Sequence, residues 1–184
     1  TSSIKSIIHT IDNEIYPVTA SDLDKQSEMV DVLDKLKSDL GEKYNKSWSP
    51  HNFSCWLYSL HKCNQIKNDY AKYYNIKYDY VIRVRTELEF LRPLTQEDFD
   101  EVQNGILIPE GADYNQGIND MFAIGTNESI NWYCDLMNRI TNYQERNPHK
   151  IFQEHLDEWQ NTTNNPIKRF NFPYNLRGNR PSGM

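Results

Sequence analysis

Only three cysteines, Cys55, Cys63 and Cys134, occur in 184 residues, and no two are spaced C-x-x-C. An odd, scattered set excludes a disulfide framework and a zinc knuckle, and suits reduced thiols in a cytoplasmic setting. Long apolar runs are missing too, since nothing approaches the roughly 20 residues of a membrane span. A basic excess is also absent, with Lys+Arg 20 against Asp+Glu 26 and a formal charge of −6. Proteins that grip the phosphate backbone of nucleic acid show the opposite balance. No internal repeat is visible. The chain opens on Thr1 with no apolar signal-peptide core behind it, and reads as one that lacks an N-terminal element.

Aromatic residues are plentiful: 12 Tyr, 7 Phe and 4 Trp. They supply the bulky groups a core needs despite a mean hydropathy of −0.82, and they exclude a disordered chain. The length suits one domain over residues 1–184, alone or as one module of a longer polypeptide. N-x-[ST] sequons begin at Asn45, Asn52, Asn127 and Asn161, but 20 asparagines make chance matches expected.

Ile4 to Ile11 reads as a short strand, and Ser21 with Asp24 opens a helix that Gly41 stops after Leu40. A second helix begins after Ser49-Pro50. Its apolar stripe runs Phe53, Trp56, Leu57, Leu60, Cys63, Ile66 and Tyr70 in three- and four-residue steps. Tyr78 to Val84 reads as a central buried strand, with Tyr73, Tyr74, Tyr78 and Tyr80 packing the helix-to-strand junction. Thr95 to Asp98 caps a short helix, and Gly105 to Pro109 forms a compact strand. A polar loop spans Glu110 to Gly117, and Met121 to Ile124 is either a third strand or the packed start of a helix. Helices over Glu128–Asn142 and Pro148–Trp159 follow. The tail from Asn161 is peripheral, with a strand near Ile167–Phe172. Strands alternating with helices predict an α/β fold, a mostly parallel sheet sandwiched by helices. Such folds bind ligands beyond the carboxyl ends of their strands, which directs attention to the residues that follow each strand.

The richest stretch is Arg83-Val84-Arg85-Thr86-Glu87-Leu88-Glu89. Period-two alternation puts Arg83 and Arg85 on one face, and Glu87 and Glu89 on one face, if the strand continues. Guanidinium forks suit phosphate oxygens, while paired carboxylates suit a hard divalent cation. The plain alternative is a set of ion pairs at a strand end. Asp120, between a Gly-bearing loop and an apolar run, is a candidate general base, or else a cap or turn residue. His155, beside Glu154 on a helix, is a candidate third metal contact, although a lone helical His is more often surface or core. His9 and Thr10 follow a strand and could touch a nucleotide. Tyr114 and Asn115, in the polar loop, could touch a sugar or an acceptor.

The runs Tyr78–Phe90, Ile106–Pro109 and Gly117–Gly125 together resemble GT-A-type glycosyltransferases, most of all the small group of bacterial polysaccharide loci and large DNA viruses. The resemblance covers roughly Ile4 to His155. It implies a GT-A-like (Rossmann-like) fold and transfer of a sugar, with inversion, from a UDP-sugar to a glycan hydroxyl. Such enzymes commonly hold Mn²⁺ or Mg²⁺ at a D-x-D motif. Glu87 and Glu89 would occupy those positions, with His155 as a further contact. Arg83, Arg85, Glu87, Asn119, His9 and Thr10 would face the nucleotide-sugar. Asp120, in the Asn119-Asp120 pair, would be the base. Glu in place of Asp at both acidic positions departs from the motif and motivates a rival reading, a catalytically silent nucleotide- or carbohydrate-binding module. A nucleotidyltransferase would need a Gly-rich phosphate loop near the N-terminus, and none is visible.

Overall fold

Two short apolar runs set the layers of the fold. In residues 106–109 and 122–125 alternate side chains point to opposite faces, as period-two strands require. Ile106, Ile108 and Ala123 enter one core with Phe53, Leu57, Tyr133, Phe152 and Leu156. Leu107, Phe122 and Ile124 enter another with Val102 and Phe172. Both faces of these strands are buried, so they read as continuous apolar runs rather than alternating ones.

A computed structural model describes residues 50–113, 117–145 and 147–176, together with helical positions 30, 31, 34, 35 and 38. In chain order the elements are helix α1 (Pro50–Tyr74), strands β1 (Val81–Val84) and β2 (Leu88–Phe90), helix α2 (Gln96–Asp100), and strands β3 (Ile106–Pro109) and β4 (Phe122–Gly125). Helices α3 (Asn127–Tyr133) and α4 (Leu136–Arg139), a 3₁₀ turn (Ile140–Asn142), helix α5 (Pro148–Thr163), and strands β5 (Ile167–Phe170) and β6 (Tyr174–Leu176) follow. The expected strand Ile4–Ile11 and the tail past residue 176 lie outside the described residues, as does most of the helix expected over Ser21–Leu40.

The architecture is mixed α/β. The main sheet has the order β1-β4-β3-β5, and a separate ribbon pairs β2 with β6. The expectation of a mostly parallel sheet needs correction among the described residues. Only β3 and β5 pair in parallel, whereas β1·β4 and β3·β4 are antiparallel. Since β4 opposes both neighbours, β1, β3 and β5 run one way and β4 runs back between them. The second face also departs from a helical sandwich. Helices α1, α3, α4 and α5 contribute to one core, but the other is covered by residues of the β2–β6 ribbon, the Phe170–Phe172 segment and the short α2.

Several boundaries shift for local reasons. Helix α1 outruns its buried stripe: Phe53, Leu57 and Leu60 are buried, but Cys63 and Ile66 are exposed. Beyond Leu60 the helix meets α3 through polar groups instead. Lys67 Nζ donates to Asn127 and Asn131, and Asn68 donates to Asn131 at 3.0 Å. Asn75, at φ 51°, stops α1 in the left-handed conformation that Asn tolerates. The tyrosines around this end are not core: Tyr73 is 80% exposed, Tyr74 and Tyr80 are exposed as well, and Tyr80 packs on the Phe99 ring. β1 stands at one end of the described sheet, so its outer face, Ile82 and Val84, is exposed rather than central. The helix expected over Glu128–Asn142 breaks at Cys134–Asp135. There Asp135 N–H bonds back three residues to Trp132 at 2.9 Å, and the Asp135 carboxylate takes Asn138 and Arg139.

The ribbon is fastened by one ion pair. Both terminal nitrogens of Arg92 donate to Asp98 at 2.7 Å, and Thr95 N–H adds a bond at 2.8 Å. Arg92 also lies 4.4 Å from the Phe172 ring centroid, so the same residue ties α2 to the second core. The Arg92 bonds hold the Asp98 carboxyl down to about 2, from 3.8, against the burial that opposes ionisation. Because the folded value lies below the unfolded one, this stabilisation is complete above about pH 4 and is lost as pH falls through about 2. Asp98→Asn is therefore expected to cost about 2 kcal/mol at pH 7. Its deficit against wild type should close between about pH 4 and pH 2, as urea unfolding at each pH will read.

Candidate functional site

The antiparallel register of β1 and β4 brings the two main sequence motifs together. Val84 lies opposite Phe122, and Arg85 N–H continues the ladder to Met121 O at 3.1 Å. The residue leaving β1 and the residue entering β4, Arg85 and Asp120, therefore meet at one edge. That edge is also where β3 ends, because β1 and β3 share a direction. Arg83 and Arg85 fall on the same half-buried face, as alternation predicts.

The acidic pair does not behave that way. A tight turn at Thr86–Glu87, closed by Leu88 N–H to Arg85 O at 3.1 Å, interrupts the strand. Glu87 turns back to Arg85, accepting from Nε at 2.6 Å and pairing with Nη2. The Arg85 bond lowers the Glu87 pKa from its ordinary value. Glu89 is carried away on β2, exposed and opposite Asn175 of β6.

Arg85, Glu87 and Asp120 line a pocket of about 260 Å³. One wall is the first turns of α1, with Asn52, Phe53 and Trp56, and the other is the start of α5, with Pro148, His149 and Phe152. The aromatic groups pack on each other: Phe53 and Trp56 are stacked at 5.6 Å, and Phe152 meets Trp56 edge-on at 5.5 Å. Asp120 is only 8% exposed, and its Oδ2 lies 3.8 Å from Arg85 Nη1, too far for a hydrogen bond. His149 is buried beside it. Burial lowers the His149 pKa, with the Asp120 charge opposing that shift, so the ring is neutral near pH 7. Under the pocket Arg83 lies 5.9 Å from the Tyr133 ring, and its buried Nη1 has no hydrogen-bond partner among the described residues.

Asn119 holds this floor in place and is not free to meet a ligand. It is fully buried, and its Nδ2 donates to Gly111 O at 2.8 Å and to the Tyr174 hydroxyl at 2.9 Å. Its Oδ1 accepts from Met121 N–H, and its own N–H donates to Asp113 Oδ1, both at 2.9 Å. The loop it grips is held in unusual backbone: Gly111 has φ 77° and Ala112 has φ 52°. Gly117 is needed for close approach, since a Cβ there would lie 2.4 Å from the His149 backbone.

His155 belongs to the core instead. It is fully buried on α5, with Nδ1 2.8 Å from the Tyr143 hydroxyl and Nε2 2.7 Å from Trp132 O. Burial pushes its pKa down to about 4. Both ring nitrogens are engaged away from Glu87, so Glu87, Glu89 and His155 do not converge. Among the described residues no group of three or more His, Cys, Asp or Glu side chains is arranged to hold a metal. A cation at this pocket would meet Glu87 already bound to a guanidinium, without Glu89 or His155 beside it. His9, Thr10, Tyr114 and Asn115 lie outside the described residues.

A family profile matches residues 48–181, nearly three quarters of the chain. The chain belongs to that family, a domain of unknown function (DUF7796). No curated protein and no solved structure matches it. All the pocket residues of this DUF7796 domain fall within the matched span. Among them sequence reasoning missed His149. The signal was Asn147-Pro148-His149: Asn147 caps α5, Pro148 occupies its first turn, and the next side chain faces whatever that helix start faces. No helix among the described residues is long and apolar enough to cross a membrane. Asn119→Ala in this domain leaves several buried partners unsatisfied and is expected to cost about 3 kcal/mol. Chemical unfolding will show whether the loss is that large.

Proposed function

We propose that this DUF7796 domain is a nucleotide-sugar-dependent glycosyltransferase of GT-A type, acting with inversion on a UDP-sugar and a glycan hydroxyl. The observation that carries the reading is the meeting of Asp120 and Arg85 in one aromatic-walled pocket beyond the ends of co-directional strands. Asp120 is the general base. It takes the acceptor hydroxyl proton as the new bond to the sugar C1 forms, while the bond from C1 to the diphosphate oxygen breaks and the nucleotide leaves with the electron pair. Arg83 and Arg85 offset charge on that leaving group. Phe53, Trp56 and Phe152 offer apolar faces to the C–H face of a sugar ring.

At about 260 Å³ the pocket is smaller than the roughly 300–1,000 Å³ usual for drug-sized ligands. It suits a sugar ring and its adjoining phosphoryl group, with the nucleoside outside. Three cysteines, an odd number with no C-x-x-C spacing, suit action in the cytoplasm, where thiols stay reduced. The divergence of Glu87 and Glu89 favours a second reading, a silent binding module. Asp120→Asn separates the two. In a transferase it should lower kcat for UDP-sugar transfer or hydrolysis about 10²–10⁴-fold with little change in UDP affinity. Unchanged turnover would remove Asp120 from the mechanism. UDP binding by wild type without turnover across a panel of donors and acceptors would favour the module.

A further inference from the structure

The Arg85–Glu87 pair bears on how the donor is held. A guanidinium has five N–H donors in a fixed planar fork. Glu87 takes the edge made by Nε and Nη2, and the turn between the two residues keeps them adjacent. Nη1 is left over. It faces Asp120 across 3.8 Å, a gap that neither group closes with a hydrogen bond. The bound edge and the open edge differ in role: one fixes the plane of the guanidinium, the other is presented to the pocket.

Local charge points the same way. Arg83 and Arg85 set two guanidinium groups against the two carboxylates of Glu87 and Asp120, so the cluster holds no spare negative charge for a cation. Arg83 Nη1 is buried and has no hydrogen-bond partner among the described residues. A divalent cation at Glu87 would have to displace a guanidinium or stand beside it against like-charge repulsion, and Glu89 is not there to help. An anionic oxygen at the open edge of Arg85 is drawn by both guanidinium groups and has only the Asp120 carboxylate against it.

Resting on the glycosyltransferase reading, we propose that Glu87 is a positioning residue for Arg85 rather than a cation ligand, and that the open edge of Arg85 takes a phosphoryl oxygen of the donor. Nucleoside-diphosphate binding is then independent of divalent metal. Arg85 supplies a directed charge-assisted hydrogen bond, which a lysine cannot reproduce while also satisfying Glu87.

Calorimetric titration of the whole 184-residue chain with UDP, in EDTA and again in Mn²⁺, tests this. The expected result is a Kd that agrees within about threefold between the two buffers. Arg85→Lys should weaken binding about tenfold or more although its charge is kept. Glu87→Ala should weaken it by about the same factor, and Glu87→Gln, which retains an acceptor for Nε–H, should restore most of the loss. UDP binding that appears only with Mn²⁺, and is abolished in Glu87→Gln, would overturn the inference and leave the transferase reading standing. Absence of UDP binding by wild type in both buffers would overturn that reading, and the inference with it. A thermal melt of each variant distinguishes lost binding from lost folding.

Discussion

One buried amide fixes the geometry of the pocket floor. Asn119 bonds to the loop that leaves β3, to the tyrosine on β6, and to the backbone that begins β4. Asp120 follows it directly in the chain, so its carboxylate is placed by hydrogen bonds made one residue earlier. An exposed loop could not do this, because water would satisfy the same groups at no cost in position. Inside the protein the alternative to these bonds is an unpaired polar group, and that penalty makes the arrangement single-valued.

The pocket concentrates polarity that the surrounding layers avoid. Above and below it, core residues such as Leu57, Ile106 and Leu156 are almost fully buried and apolar. Arg85, Glu87 and Asp120 line it, Arg83 stands close to Glu87, and the buried Tyr133 hydroxyl has no hydrogen-bond partner among the described residues. Burial raises the Tyr133 pKa strongly, so the phenol stays neutral. The neighbouring Cys134 thiol is pushed up to about 12 by burial, which makes it an inert packing group. Buried donors left without a partner cost stability. The aromatic contacts of the first core and the Arg92–Asp98 clasp of the second offset that cost from outside the pocket.

Much of this was legible in the sequence because it rests on local pattern. The apolar runs at 106–109 and 122–125 announced buried strands, and Thr95 with Asp98 announced the start of α2. Arg83 and Arg85 share a face because β1 is regular where they lie. Glu87 and Glu89 do not, because alternation holds only while a strand continues, and nothing in Thr86-Glu87 marks a turn as Gly or Pro would. The direction of β4 was invisible for a deeper reason. A short apolar strand looks alike read from either end, and its orientation is decided by what it pairs with. His155 offered two residue-level readings, and only the positions of Tyr143 and Trp132, 12 and 23 residues away in the chain, decide between them. Asn119 looked like a ligand contact because a polar residue beside a candidate base does so in any linear reading. Its partners lie as far off as Tyr174.

The reversed strand and its anchoring amide also pin the loop after β3 at both of its described ends. Gly111 and Asp113 are bonded to Asn119, and Gly117 is wedged against the start of α5. Extra residues between Asp113 and Gly117 would join two fixed points, and closing a longer loop costs only slowly more entropy. Such insertions would leave Asp120 and Arg85 in register, because the bonds that place them are made outside that interval.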